Sequence, residues 1–144
     1  MPRRATAEDL HGLLALYRQL NPGDPPLDAA TARHRWVEML SAPGMAVFVA
    51  ERDGMLAATC TLVMVPNLTR GARPYALVEN VVTDAGHRKT GLGRAVIQAA
   101  VAHAWEQGCY KAMLLTGSKD PATLRFYAGI GFTQDKTGFQ IRQA

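Results

Sequence analysis

The stretch Arg88-Lys89-Thr90-Gly91-Leu92-Gly93-Arg94 constrains this chain more than any other, because a strand pattern leads into it and a helix pattern leads out. Ahead of it, Ala76-Leu77-Val78-Glu79-Asn80-Val81-Val82-Thr83 is short and β-branched, as a buried or half-buried strand is. Behind it, Gly93, Val96, Ile97, Ala100, Val101 and Ala104 recur at the spacing of one helical face, and Gly108 can end that helix. The helix therefore opens at the glycines. Its first N–H groups lack intrahelical acceptors, its dipole is positive at that end, and the glycines let a phosphate reach bare backbone. Arg88, Lys89 and Arg94 add charge that suits a pyrophosphate.

Spacing separates the phosphate-binding motifs that compete for this segment. A P-loop requires Gly-Lys followed by Ser or Thr, and Leu92-Gly93 stands after Gly91 instead, so the groups that serve a γ-phosphate and Mg²⁺ are missing. A dinucleotide fingerprint requires a third glycine where Val96 stands, and an acidic residue about twenty positions on, where Met113 and its neighbours are apolar. What remains is R-x-x-G-x-G after a strand. This pattern resembles the acyl-CoA pyrophosphate loop of the GCN5-related N-acetyltransferase (GNAT) superfamily. A second segment, Asp120-Pro121-Ala122-Thr123-Leu124-Arg125-Phe126-Tyr127-Ala128-Gly129-Ile130-Gly131-Phe132, resembles that superfamily's downstream helix and turn. The resemblance runs from Tyr75 to Phe132, with a strand expected at Lys111 to Leu115 between the two signatures.

The rest of the chain is consistent with one α/β domain over residues 1–144. A short strand at Arg3 to Thr6 precedes a helix opened by Ala7-Glu8-Asp9, with Leu10, Leu13, Leu14, Tyr17 and Leu20 as its apolar face. A second helix from about Asp28 to Leu40 turns Ala32, Trp36 and Met39 inward. Met45 to Glu51 and Met55 to Val65 read as a hairpin across Arg52-Asp53-Gly54, both strands apolar enough to be central. Pro66 to Pro74 is a polar loop, and Thr133 to Ile141 is expected to supply one or two closing strands. The resemblance sharpens this to a mixed, mostly antiparallel sheet with helices on both faces. In it the strands at Ala76 to Thr83 and Lys111 to Leu115 splay apart to hold acyl-CoA.

The formal net charge is +4, but the bases are dispersed along the chain, so a nucleic-acid partner is not expected and a polyanionic small molecule accounts for the excess. Two cysteines make no disulfide framework and no metal motif, which points to a reducing, cytoplasmic compartment. No apolar run approaches eighteen residues, and none is expected to cross a membrane.

Acyl transfer from a thioester to an amine requires a neutral amine, a stabilised oxyanion and a proton for the departing thiolate. The resemblance implies acetyl-CoA as cosubstrate and no metal. It places main-chain groups of Val81, Val82 and Thr83 on the thioester and pantetheine, and Arg88, Lys89, Thr90, Gly91, Leu92, Gly93 and Arg94 around the pyrophosphate. It also makes Tyr127 the general acid and allows a homodimer. Glu79 is the candidate base, since a carboxylate in an apolar strand is expected to have its pKa raised by desolvation; it can equally bind a cationic acceptor. Arg70 and Arg73, in the loop ahead of that strand, are candidates with Asn80 for holding an acceptor with a carboxylate or phosphate. Of the rival histidines, His11, His34, His87 and His103, the two near the glycine loop, His87 and His103, have no Ser or Cys at triad spacing. A non-catalytic acyl-CoA sensor would dispense with Tyr127 and Glu79, and both are present. Within the superfamily, Val78-Glu79-Asn80-Val81-Val82, Gly108-Cys109-Tyr110-Lys111 and Phe139-Gln140-Ile141-Arg142 resemble the glucosamine-6-phosphate N-acetyltransferase branch. Leu115-Thr116 departs from it where the branch carries an acidic residue, leaving other small amines open.

Overall fold

The Asp53-Gly54 dipeptide sets the first half of the sheet. In the computed structural model, which describes residues 1–143, Asp53 and Gly54 both take positive φ (56° and 77°). That handedness matches the twist of two flanking strands, β2 (Met45–Arg52) and β3 (Met55–Val65). A short β1 (Arg3–Arg4) pairs with β2, and β4 (Tyr75–Thr83) pairs with β3, all antiparallel; β5 (Ala112–Met113) lies parallel to β4. The order is β1-β2-β3-β4-β5, so the hairpin strands are central, as their apolar sequences require.

Alternation along β2 and β3 divides the core between two helical layers. On one face, α1 (Leu10–Leu20) and α2 (Ala29–Ser41) bury Leu13, Leu16 and Trp36 against Val47, Val49, Leu56 and Val82. On the other face, α4 (Leu92–Glu106) lays Val96, Ile97, Ala100 and Ala104 on Phe48, Cys60, Leu62 and Val78. Each of the larger of these side chains contributes about 1.5–3 kcal/mol by leaving water. α5 (Pro121–Ile130) packs Tyr127 and Ile130 against the same cluster. Asp28 and Asp120 cap α2 and α5 through their carboxylates. A left-handed helical turn, α3 (Thr69–Ala72), connects β3 to β4. None of the described helices is long and apolar enough to cross a membrane.

Three expectations are corrected here. Leu16, not Leu14, completes the buried stripe of α1, since Leu13 and Leu16 are each 1% exposed and Leu14 is only half-buried. The strand expected at Lys111 to Leu115 shrinks to Ala112–Met113, since β4 and β5 stay paired only through Ala76–Ala112 and Leu77–Met113. Thr133 to Ile141 forms no strand: β5 offers too short a ladder to seat one, and Phe139 and Ile141 stand almost wholly exposed.

Candidate active site

The gap between β4 and β5 follows from an irregularity in β4. Thr61 pairs with Glu79 but Thr59 pairs with Val82, so β4 carries one extra residue there, and Asn80 takes a positive φ of 49°. The bulge bends β4 just beyond its last pair with β5. From Val78 onward, the β5-facing edge of β4 has no strand partner, leaving backbone N–H and C=O groups of every second residue free to meet a ligand. Val82 turns into the α1/α2 core and Val81 packs on the α4 side, so their side chains are structural.

At the end of β4 the chain turns through a 3-10 segment, Ala85–His87, into the glycine loop. Lys89 (φ 62°) and Gly91 (φ 85°) are left-handed, and Gly91 is the N-cap of α4. The first helical bond runs from Ala95 N–H to the Gly91 carbonyl, so the N–H groups of Leu92, Gly93 and Arg94 are spare. A Cβ on Gly91 would meet nothing within 4 Å, whereas one on Gly93 would come within 2.7 Å of Thr83 Oγ1. Gly91 thus fronts open space, and Gly93 lets the helix sit against the strand end. Arg88, Lys89, Thr90 and Arg94 are all exposed around this opening. The loop has the features a pyrophosphate requires: open backbone, a helix N-terminus and surrounding cations.

Tyr127 reaches the same cluster from α5. Its ring meets Phe126 and Phe132 edge-on, with centroids 5.1 and 6.2 Å away. The Gly-Phe that follows is explained by a helix end, in which Phe132 N–H donates to the Tyr127 carbonyl after Gly131 takes φ 122°. Burial, and secondarily the neighbouring Cys60, push the Tyr127 hydroxyl above its ordinary pKa. It is a proton donor throughout the neutral range.

Glu79 departs from expectation. It is exposed together with Asn80, because the bulge and the missing β5 neighbour open this part of β4 to solvent; the desolvation expected of it does not occur. Arg70 and Arg73 are not beside it. They stand over the Tyr110 ring, 5.8 and 6.0 Å from its centroid, where Lys111 also sits at 5.5 Å while spanning to Tyr75 at 5.6 Å. None of these three cations forms an ion pair among the described residues. Arg70, Gly71 and Ala72 all have positive φ, a conformation costly for the two non-glycine residues. Lys111 and Tyr110 are the members of this group that the sequence reading did not assign, since cation–aromatic stacking between segments forty residues apart leaves no local pattern.

Comparison with known proteins agrees with this geometry. The model of the family described as "Acetyltransferase (GNAT) family" matches residues 10–132. The chain belongs to that family. It is thus a GNAT N-acetyltransferase, and the glycine loop, the splayed strands and the α5 tyrosine lie within the matched span. It is 37% identical over 132 residues to glucosamine 6-phosphate N-acetyltransferase 1 of Oryza sativa subsp. japonica, covering 89% of this chain and 77% of the rice protein. A solved structure described as a putative acetyltransferase from Agrobacterium tumefaciens str. C58 superposes with TM-score 0.95 at 52% identity, covering 99% of both chains. The glucosamine-6-phosphate N-acetyltransferase of Arabidopsis thaliana shares the fold, with TM-score 0.89 at 23% identity and coverage of 99% and 97%.

Proposed function

We propose that this GNAT domain, residues 1–144, moves the acetyl group of acetyl-CoA directly to the primary amine of a small zwitterionic metabolite. The observations that carry the reading are an open, cationic helix N-terminus, a strand edge left free beyond the last β4–β5 pair, and a half-buried tyrosine that packs on the same core cluster as Val81 and Leu92. Arg88, Lys89, Thr90, Gly91, Leu92, Gly93 and Arg94 hold the pyrophosphate, mainly through backbone. The main chain of Val81, Val82 and Thr83 orients the pantetheine arm and polarises the thioester carbonyl. Tyr127 gives its proton to the departing thiolate. Glu79, exposed beside Asn80, receives the acceptor's ammonium and takes its proton directly or through water.

The acceptor's other end is assigned from spacing. Tyr75, Leu77 and Glu79 alternate onto one face of β4, and Lys111 stacks on Tyr75. Four residues of strand separate Glu79 from Tyr75 by about 13 Å. Lys and Arg side chains reaching back from Lys111, Arg70 and Arg73 shorten that to the span of a compact metabolite with an amine at one end and a phosphate or carboxylate at the other. An amino-sugar phosphate, the substrate in the rice relative's name, belongs to this class. The test is release of CoA thiol across a panel of amines. Phosphorylated or carboxylated amines should outperform alkylamines, and Arg73→Ala should raise the acceptor KM several-fold while leaving the acetyl-CoA KM unchanged. Preference for simple alkylamines would overturn the zwitterionic acceptor without touching acetyl transfer.

We further propose a reducing, cytoplasmic location, supported by two unbonded buried cysteines, and a homodimer. The dimer is supported by exposed Leu115, Phe139 and Ile141, with Gly138 lying against the Leu115 side chain. Light scattering should then give about twice 15.6 kDa, and a monomer at micromolar concentration would reject it.

A further inference from the structure

The turn that feeds the glycine loop is tied to two segments far away in sequence. From α1, Gln19 Nε2 donates to Asp84 Oδ1 (2.7 Å), and Gln19 Oε1 accepts from the Ala85 N–H (2.9 Å). Asp84 Oδ2 accepts from the Gly86 N–H (3.0 Å) and faces His87 Nδ1 at 2.8 Å. From the β2–β3 turn, Asp53 Oδ2 faces His87 Nε2 at 3.3 Å. The His87 side chain is only 15% exposed, and its carbonyl accepts from the Thr90 hydroxyl one residue before Gly91.

Both ring nitrogens of His87 therefore look at carboxylate oxygens. A carboxylate only accepts, and a neutral imidazole has one N–H, so both contacts are hydrogen bonds only when the ring carries two protons. We infer that His87 is a positioning residue for acetyl-CoA: clamped between Asp84 and Asp53, it fixes residues 88–91 in front of α4 and makes cosubstrate binding depend on pH. This rests on the placement of the pyrophosphate at that loop.

Asp84 first, then Asp53, raise the His87 pKa above its ordinary value. The clamp is accordingly complete below about pH 6.5 and is lost as pH rises through the higher folded value. The charged groups against the ring are the carboxylates of Asp84 and Asp53; Arg88 and Lys89 in the loop, Arg52 in the turn and Arg18 on α1, beside neutral Gln19, are exposed. The two carboxylates are in contact with the ring, so they dominate over the exposed cations.

Calorimetric titration of the full chain with CoA between pH 6 and 9 tests this, using wild type, His87→Gln, Asp53→Asn and Gly91→Asp. CoA's own phosphate titration is common to all, so the readout is the difference from wild type. Wild type should lose about two- to fivefold more affinity across the range than His87→Gln, the scale of one partly exposed ion pair. Asp53→Asn should move the midpoint to lower pH; Asn-Gly keeps the left-handed turn, so the fold is retained. The kcat at saturating acetyl-CoA should be unchanged in both. Profiles of His87→Gln and Asp53→Asn that superimpose on wild type would overturn the clamp. If His87→Gln does not fold, Asp53→Asn decides alone. Undiminished binding by Gly91→Asp would reject the loop placement and the clamp with it, whereas loss there with unchanged pH profiles would reject the clamp only.

Discussion

Gly91→Asp is expected to abolish acetyl-CoA binding in a protein that remains folded. A Cβ at this position meets nothing within 4 Å, so no neighbour has to move. The φ of 85° strains any L-residue, but Asp is among the side chains that tolerate the left-handed region, and a carboxylate at a helix N-terminus is itself favourable. The same carboxylate occupies the space a phosphate needs and repels it. At about 4 Å, two like charges cost about 1 kcal/mol in water and about 4 kcal/mol near a protein surface, and a pyrophosphate carries more than one. Affinity should fall by about 10² or more at 1.4 kcal/mol per decade. Calorimetry on the variant, with circular dichroism to check the fold, reads this directly; a Kd within threefold of wild type would make the loop a structural turn only.

The elements that sequence disclosed are those whose cause is local. The Asp53-Gly54 turn, the helix expected from about Asp28 and the glycine-opened helix at Leu92–Glu106 each depend on residues a few positions apart, and all stand where their patterns put them. Exposure of Glu79 was not legible, because it arises from a bulge measured against β3 and from where β5 stops, both properties of pairing between distant strands. The missing closing strand has the same origin: Phe139 and Ile141 have strand-forming side chains, but a ladder requires a neighbour, and β5 supplies two residues. Asp84 and His87 show an i, i+3 spacing that could have signalled their pairing, whereas the contributions of Gln19 and Asp53 come from 65 and 34 residues away.

Replacing Tyr127 by Phe should separate chemistry from binding. The ring packs edge-on against Phe126 and Phe132, and those contacts survive loss of the oxygen. Among the described residues, no protein group hydrogen-bonds to the hydroxyl, so its removal orphans no partner and stability should change little. If the hydroxyl protonates the departing thiolate, kcat should fall by about 10² to 10⁴, the usual contribution of a positioned acid, while the acetyl-CoA Kd stays near wild type. The sign of the pH dependence follows from burial. The acid works protonated and its pKa lies above the ordinary value near 10, so wild-type kcat should not decline on account of Tyr127 until pH exceeds about 10. Any loss of rate at lower pH then reports another group. Single-turnover measurements with saturating acetyl-CoA and acceptor distinguish the step: a variant rate within twofold of wild type would remove Tyr127 from proton transfer, and a raised acetyl-CoA Kd with unchanged kcat would reassign it to binding.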